Sequence, residues 1–416
     1  MAMAESSGVR RLLVERAGPV SVISLAQLFG TSLWFSANGA ASGITRAWHA
    51  SATDIGWLTS AVQAGFILGT LTMSLTGIAD RFRASSIFVL SAVLGAIFNA
   101  MFALLATGVL SGAMCRFLVG ICLAGIYPMG MKLIVKWAPE KTGPALAQLV
   151  AMLTLGSGLP HALKVVGADW PWQAIIVASS VLALIAGALI AVLGDGPRPR
   201  IDPRRQEAGA AAASPGIFDA LKRPDFRSAA LGYFGHMWEL YAFWTLVPLY
   251  ISRSSLAQGV HAGGVSGLSF FVFAAGAVGC LAGGMLSRRI GSAGVAAGAL
   301  AISGTCCVLF ALMWRNAGTP LLFLLLLVWG ATVVADSPQF SALSAKACPP
   351  ELVGSALAIQ NSIGFAITVV SISAATTLFE RIGLDSAWLL VIGPIAGLAG
   401  FAPLLRRQAR GETSRI

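Results

Sequence analysis

Apolar residues in this chain come in runs of about twenty, each closed by a short polar segment, and the rhythm holds from end to end. A helix needs roughly 20 apolar residues to cross the hydrocarbon of a bilayer. Runs of that length fall at 19–40, 55–76, 86–106, 110–131, 145–166, 173–193, 228–251, 264–286, 293–313, 319–341, 355–378 and 386–405. They predict an all-α integral membrane protein with twelve transmembrane helices. Six runs precede the longest polar stretch, Gly194–Arg227, and six follow it. That stretch is rich in Pro, Ala and charge and reads as a flexible linker. The chain thus divides into an N-terminal six-helix bundle (1–193), a linker (194–227) and a C-terminal six-helix bundle (228–416).

Composition agrees with a membrane-embedded chain. Of 416 residues, 56% are hydrophobic and only 11% charged, with mean hydropathy +0.80. A soluble domain of this length could not hide so much apolar surface. The net charge of +11 would raise nucleic-acid binding in a soluble protein, but here the basic residues sit in the short connections. With the N-terminus placed inside, the inside segments hold 22 Lys and Arg and the outside loops five, Arg46, Lys164, Arg253, Arg315 and Arg381. That asymmetry predicts cytoplasmic termini and, for a bacterial chain, the inner membrane. The run after Pro19 is too long for a signal-peptide core and reads as the first transmembrane helix. Cys115, Cys122, Cys280, Cys306 and Cys307 lie in apolar runs, as buried small hydrophobes rather than disulfides.

The two halves repeat. Pro139-Glu140 with Gly143 and Ala147 after the fourth run is matched by Pro350-Glu351 with Gly354 and Ala358 after the tenth, at an offset of 211. Tyr127-Pro128 corresponds to Ser337-Pro338 at an offset of 210, and Phe29-Gly30 loosely to Phe234-Gly235. Parallel repeats of this kind place a binding site between the halves near the bilayer midplane. Gly65/Gly69, Gly279/Gly283 and Gly294/Gly298, each four apart, predict close helix packing.

Few charges enter the apolar runs. His236 and Glu239 share one helix face in the seventh run, Asp336 lies in the tenth, and Arg116 in the fourth. Ionisable residues at membrane depth are expensive and mark functional sites by default. A carboxylate withdrawn from water is costly as an anion, so Glu239 is a candidate for taking up and releasing a transported proton, with His236 sharing it or binding an anion. The structural alternative for Glu239 is a permanent brace of its helix. Asp336, two residues before Pro338, is either a proton site or a cap on the backbone that the proline breaks. An unpaired guanidinium at Arg116 costs at least ~2.5 kcal/mol in hydrocarbon, so it should face a cavity or a partner, or snorkel to the outer interface. His161, beside Pro160, reads as a structural histidine.

The twelve runs, the six-plus-six repeat and the long central loop resemble the major facilitator superfamily of secondary transporters. Between the second and third runs, Thr76-Gly-Ile-Ala-Asp80-Arg81-Phe-Arg83 keeps the Ala-Asp-Arg core of that family's most diagnostic motif while departing from it on both flanks. Arg116 with Gly120 and Gly125 is similar to its second motif. The resemblance implies that Asp80 and Arg81 form a conformational latch, that Arg116 is tied to proton movement, and that helices 1, 4, 7 and 10 line the cavity. On those helices and the eleventh, the candidate substrate contacts are Trp34, Asn38, Arg116, Tyr127, His236, Tyr241, Gln360 and Asn361. Glu239, Asp336, Arg116 and His236 are the candidates for proton coupling.

The function these features imply is proton-coupled secondary transport, by alternating access, of a small polar or anionic solute, as an importer. Arg116 and His236 are the features that point to an anion. Gly156-Ser-Gly158-Leu-Pro160 departs in order from the fifth-helix pattern of drug and proton antiporters, which lowers an efflux reading without removing it. A copper importer lacks Met and His pairs at helical spacing in helices 7 and 8, and a non-transporting receptor lacks any added soluble domain. No nucleotide-binding motif is present and nothing points to an enzyme, a cofactor or nucleic acid. The implied partners are a small solute, protons and the lipid bilayer, with the protein itself a monomer.

Overall fold

The computed structural model describes residues 13–196, 222–259, 263–348 and 353–412. Most of the expected linker (197–221) and Pro350-Glu351 of the second repeat copy lie outside the described residues. Among the described residues every regular element is helical. The first span, α1, runs from Pro19–Gly30 through a 3₁₀ turn at Thr31–Leu33 to the short pieces Ser36–Gly39 and Ala41–Trp48. Then follow α2 (Ala52–Thr76), α3 (Ala84–Leu104), α4 (Val109–Trp137), α5 (Thr142–Val166), α6 (Trp172–Leu193) and α7 (Pro224–Arg253). The run Gly264–Met313 breaks at Gly291, whose φ of 80° and ψ of 157° separate α8 from α9. The tenth span, α10, is Thr319–Ala335 continued by Ser337–Lys346; α11 is Val353–Ile382; α12 is Ala387–Leu390 continued by Ile392–Ala409. These are the twelve expected spans.

Eight of the helical runs are long and apolar enough to cross a bilayer, and two of those hold two spans each, α8 with α9 and α11 with α12. The other spans fall short for local reasons. Broken α1 offers only a short apolar helix, and the hydropathy of α7 is lowered by His236, Glu239 and its Tyr and Trp residues. Gly77–Arg83, Asp195 and Arg223 mark one end of the bundle, the linker end.

Helices within each six-helix bundle pack as neighbours, α1 on α5 and α6, α2 and α3 on α4, α7 on α11 and α12, α8 and α9 on α10. The two bundles meet along α2 with α11 and along α5 with α8. Glycine decides the closest approaches. A Cβ on Gly65 would overlap the Phe117 carbonyl, one on Gly120 the Val62 carbonyl, and one on Gly279 the Ala331 carbonyl. The Gly65/Gly69 and Gly279/Gly283 pairs therefore work as expected. The Gly294/Gly298 pair does not: nothing lies within 4 Å of a Cβ on Gly298, and Gly294 meets only Ile290 of its own chain segment. Spacing alone cannot tell a packed glycine face from one turned to lipid. Gly65→Val is expected to force α2 from α4 and cost about 1–3 kcal/mol or more. Gly298→Val should leave stability nearly unchanged. Thermal unfolding in detergent compares the two, and equal losses would contradict this packing.

Candidate functional site

Two cavities enter the molecule from opposite ends. The one at the linker end measures about 610 Å³ and is walled by α2, α4, α5, α7, α10 and α11. The one at the other end measures about 980 Å³ and lies among α1, α2, α5, α7, α8 and α11. A cluster of packed rings separates them. Trp34 lies 5.0 Å from Phe66, 5.8 Å from Tyr241 and 5.9 Å from Phe365, centroid to centroid. Phe35 packs on Tyr241, Trp244 and Phe273, and Trp244 packs on Phe273 at 4.9 Å. These rings come from both bundles, so the plug itself crosses the interface between them.

Three of the four tyrosines in the chain, Tyr127, Tyr233 and Tyr241, line the linker-end cavity, together with Met73, Met131, Met237, Asn361 and Trp244. Among the described residues that lining contains no Asp, Glu, Lys, Arg or His. The opposite cavity carries Asn38, His161, Arg253 and Glu380. There Asn38 exchanges hydrogen bonds with the Thr59 hydroxyl at 3.0 and 3.2 Å. At the same end, Glu380 of α11 accepts the Thr53 backbone N–H of α2 at 2.7 Å, joining the two bundles.

The buried charges lie behind these walls. His236 Nδ1 stands 2.8 Å from Asp336 Oδ1, and both side chains are 0% exposed. The approach is close, and Nε2 has no protein partner. Asp336 occupies the break in α10 between Ala335 and Ser337, yet its side chain makes no capping bond there. It faces the histidine instead. The pair sits one layer behind Tyr233, Met237 and Ser337, which line the linker-end cavity.

Glu239 shares a face with His236 but meets other partners. Its carboxylate accepts the Trp329 indole N–H at 2.6 Å, the Ser303 hydroxyl at 2.9 Å and the Cys307 thiol at 3.2 Å. It binds α7 to α9 and α10 inside the second bundle and lines neither cavity.

Arg116 is enclosed in the first bundle. Nη1 donates to Ser36 Oγ at 2.9 Å and Asn99 Oδ1 at 2.8 Å; Nη2 donates to the carbonyls of Leu33, at 2.9 Å, and Trp34. Those carbonyls lack helical N–H partners because α1 unwinds there, and the Leu33 carbonyl also accepts the Ser36 hydroxyl at 3.2 Å. The side chain is 0% exposed, so it does not snorkel to the interface, and it reaches neither cavity.

Of the expected substrate contacts, Tyr127, Tyr241 and Asn361 line the linker-end cavity, Asn38 the opposite one, and Trp34 the plug between them. Gln360 is buried with both amide atoms unpartnered, beside the cavity wall rather than in it. Arg116 and His236 are set back from the lining. Arg81 is exposed on the single turn Ile78–Arg81; the side chain of Asp80 lies outside the described residues. The neighbouring loop is fastened within the first bundle. Asp195 accepts the Ser85 backbone N–H at 2.9 Å and lies 3.6 Å from both Arg83 and Lys136. Partial burial would raise the Asp195 carboxyl, but that bond and the two cations hold it below the usual range. Trp244, Phe273 and Phe365 are site residues that the expected contacts omitted. Helical spacing could not separate their rings from ordinary packing. Among the described residues no three His, Cys, Asp or Glu gather as a metal site.

The family model for the Major Facilitator Superfamily matches residues 23–372. No curated protein sequence matches the chain.

Proposed function

Because the chain belongs to the Major Facilitator Superfamily, a family of membrane transporters, we propose that it is a proton-coupled secondary transporter that moves a small uncharged polar solute by alternating access. The observation that carries this reading is the pair of cavities on either side of one ring plug, built from both bundles. Rocking the bundles about the α2–α11 and α5–α8 contacts would open the plug to one end at a time. The proposal divides the chain into bundles 1–193 and 228–416 joined by a cytoplasmic linker, with both termini on that side of a bacterial inner membrane, which makes the linker-end cavity the inward-facing one.

Proton coupling is assigned to His236 and Asp336. A neutral histidine beside an ionised aspartate leaves one negative charge in a closed interior, which is costly. One added proton makes the pair neutral overall, and the site can then occlude. Arg116 and Glu239, expected at the proton path, have structural roles in this proposal, since their hydrogen-bond partners bind them to their own bundles. The same displacement of Arg116 and His236 from the lining removes the reason to expect an anionic cargo.

The test is flux in proteoliposomes enclosing a pH-sensitive dye, against a panel of neutral, anionic and cationic solutes. The expected result is acidification of the lumen with uptake of a neutral solute, abolished by a protonophore. Uptake that is indifferent to the proton gradient would refute the coupling; silence across the panel would refute transport of this class.

A further inference from the structure

The linker-end face of the plug combines three features that together describe a ligand. Tyr241 stands 5.4 Å from Trp244 and 5.4 Å from Phe365, and all three rings line the cavity. The indole Nε1 of Trp244 is buried without a hydrogen-bond partner, although the residue itself is only 1% exposed. No Asp, Glu, Lys, Arg or His belongs to the described lining; of the two nearby carboxylates, Glu239 accepts from Trp329, Ser303 and Cys307, and Asp336 stands 2.8 Å from His236 behind the wall.

Each feature excludes something. A buried N–H without an acceptor is costly, so a ligand that supplies an acceptor gains the bond without breaking another. A wall made of aromatic rings favours a flat π-system over a saturated ring of equal size. A charged ligand would have to be desolvated with no counter-charge in the wall. The rings alone could hold an organic cation, but no carboxylate of the described lining assists them. The volume of about 610 Å³ falls within the range of small-molecule sites.

We propose that the linker-end cavity binds an uncharged, planar ring compound bearing a hydrogen-bond acceptor, held among Trp244, Tyr241 and Phe365 with its acceptor on the Trp244 indole N–H. The proposal rests on the transport reading above but concerns binding alone. On the far side of the plug, His161 is 1% exposed, has an unpartnered Nε2, and packs on Phe273 at 5.7 Å. Phe273 also packs on Trp244, so one ring lies between two residues that carry unpartnered polar groups and belong to the linings of opposite cavities.

Isothermal titration of the full-length protein in detergent tests the class without any gradient. The probes are coumarin, its fully saturated bicyclic lactone, naphthalene, 2-naphthoate and N-methylquinolinium. Coumarin is expected to bind about fivefold tighter than the saturated lactone, and more tightly than either ion. Trp244→Phe keeps the ring and removes the N–H. It should weaken coumarin about fivefold and leave naphthalene unchanged. Equal binding of the saturated lactone, tighter binding of either ion, or no coumarin binding at millimolar concentration overturns the proposal. If coumarin binds as expected but no neutral solute moves protons in proteoliposomes, the transport reading fails and this one stands.

Discussion

Arg116→Leu is expected to destabilise the protein severely, by about 2–6 kcal/mol at about 1–3 kcal/mol for each of two acceptors left unmet. The guanidinium donates to the Leu33 and Trp34 carbonyls, which lack helical N–H partners where α1 unwinds; the Leu33 carbonyl also receives the Ser36 hydroxyl at 3.2 Å. Leucine fills much of the volume and donates nothing. The Ser36 hydroxyl reaches both Asn99 Oδ1, at 2.8 Å, and the Leu33 carbonyl, at 3.2 Å, but its one proton serves one of them, so two of the three acceptors go unmet. Arg116→Lys should recover part of it, because an ammonium offers three donors without the planar fork that reaches two helices at once. Thermal unfolding in detergent reads the difference. A leucine variant as stable as the parent but inactive would mean that Arg116 serves transport directly and that α1 holds its break without help.

Asp336→Asn carries the second large effect. Asparagine keeps the size and removes the titrating group, so the pair with His236 can no longer alternate between one negative charge and none. Proton-driven accumulation is expected to fall at least tenfold, on the order of the 1.4 kcal/mol that separates each decade. Exchange of solute across a membrane without a gradient should survive, because the asparagine pair is neutral throughout the cycle and the bundles can still rock. Glu239→Gln is the contrast. Its amide NH₂ would meet at least one of the three donors now directed at the carboxylate. Stability should drop while the proton signal per solute stays. Should Asp336→Asn retain full coupling and Glu239→Gln lose it, the assignment of the two acids is reversed.

The loop ends place a smaller constraint on the same motions. Arg315 and Trp314 both donate to Asp385, at 2.9 and 3.0 Å, tying the connection after α9 to the one before α12. The bond from Arg315, with that from Trp314, holds the Asp385 carboxyl below its usual range. This clip lies within the second bundle, and Asp195 makes its clip within the first. Glu380 with Thr53 differs in crossing between bundles, at the end away from the linker.

How much of this is legible in the chain follows from which properties are local. Hydropathy belongs to short stretches of chain, so the twelve spans can be read directly, including α1 and α7, which a strict length and hydropathy test passes over. The cost of a charge in hydrocarbon is also independent of partners, which is why Arg116, His236, Glu239 and Asp336 stand out as the residues that matter. The i, i+3 spacing places His236 and Glu239 on one face. It cannot say that one meets the break in α10 and the other Ser303, Cys307 and Trp329 on α9 and α10.

What the chain determined by itself, then, is the membrane class, the span count, the repeat and the short list of expensive residues. The tertiary structure alone decided that Asp336 pairs with His236, 100 positions away, and that Arg116 spends its donors on the unwound α1. It also decided that the described lining of the linker-end cavity carries no Asp, Glu, Lys, Arg or His and that the Trp244 indole N–H is buried without a partner. The physical reason is common to all of these. Burial cost is fixed by residue type, whereas relief of that cost depends on which atom another helix brings within about 3 Å, and that is settled by rotations and offsets between helices that no single stretch of sequence contains.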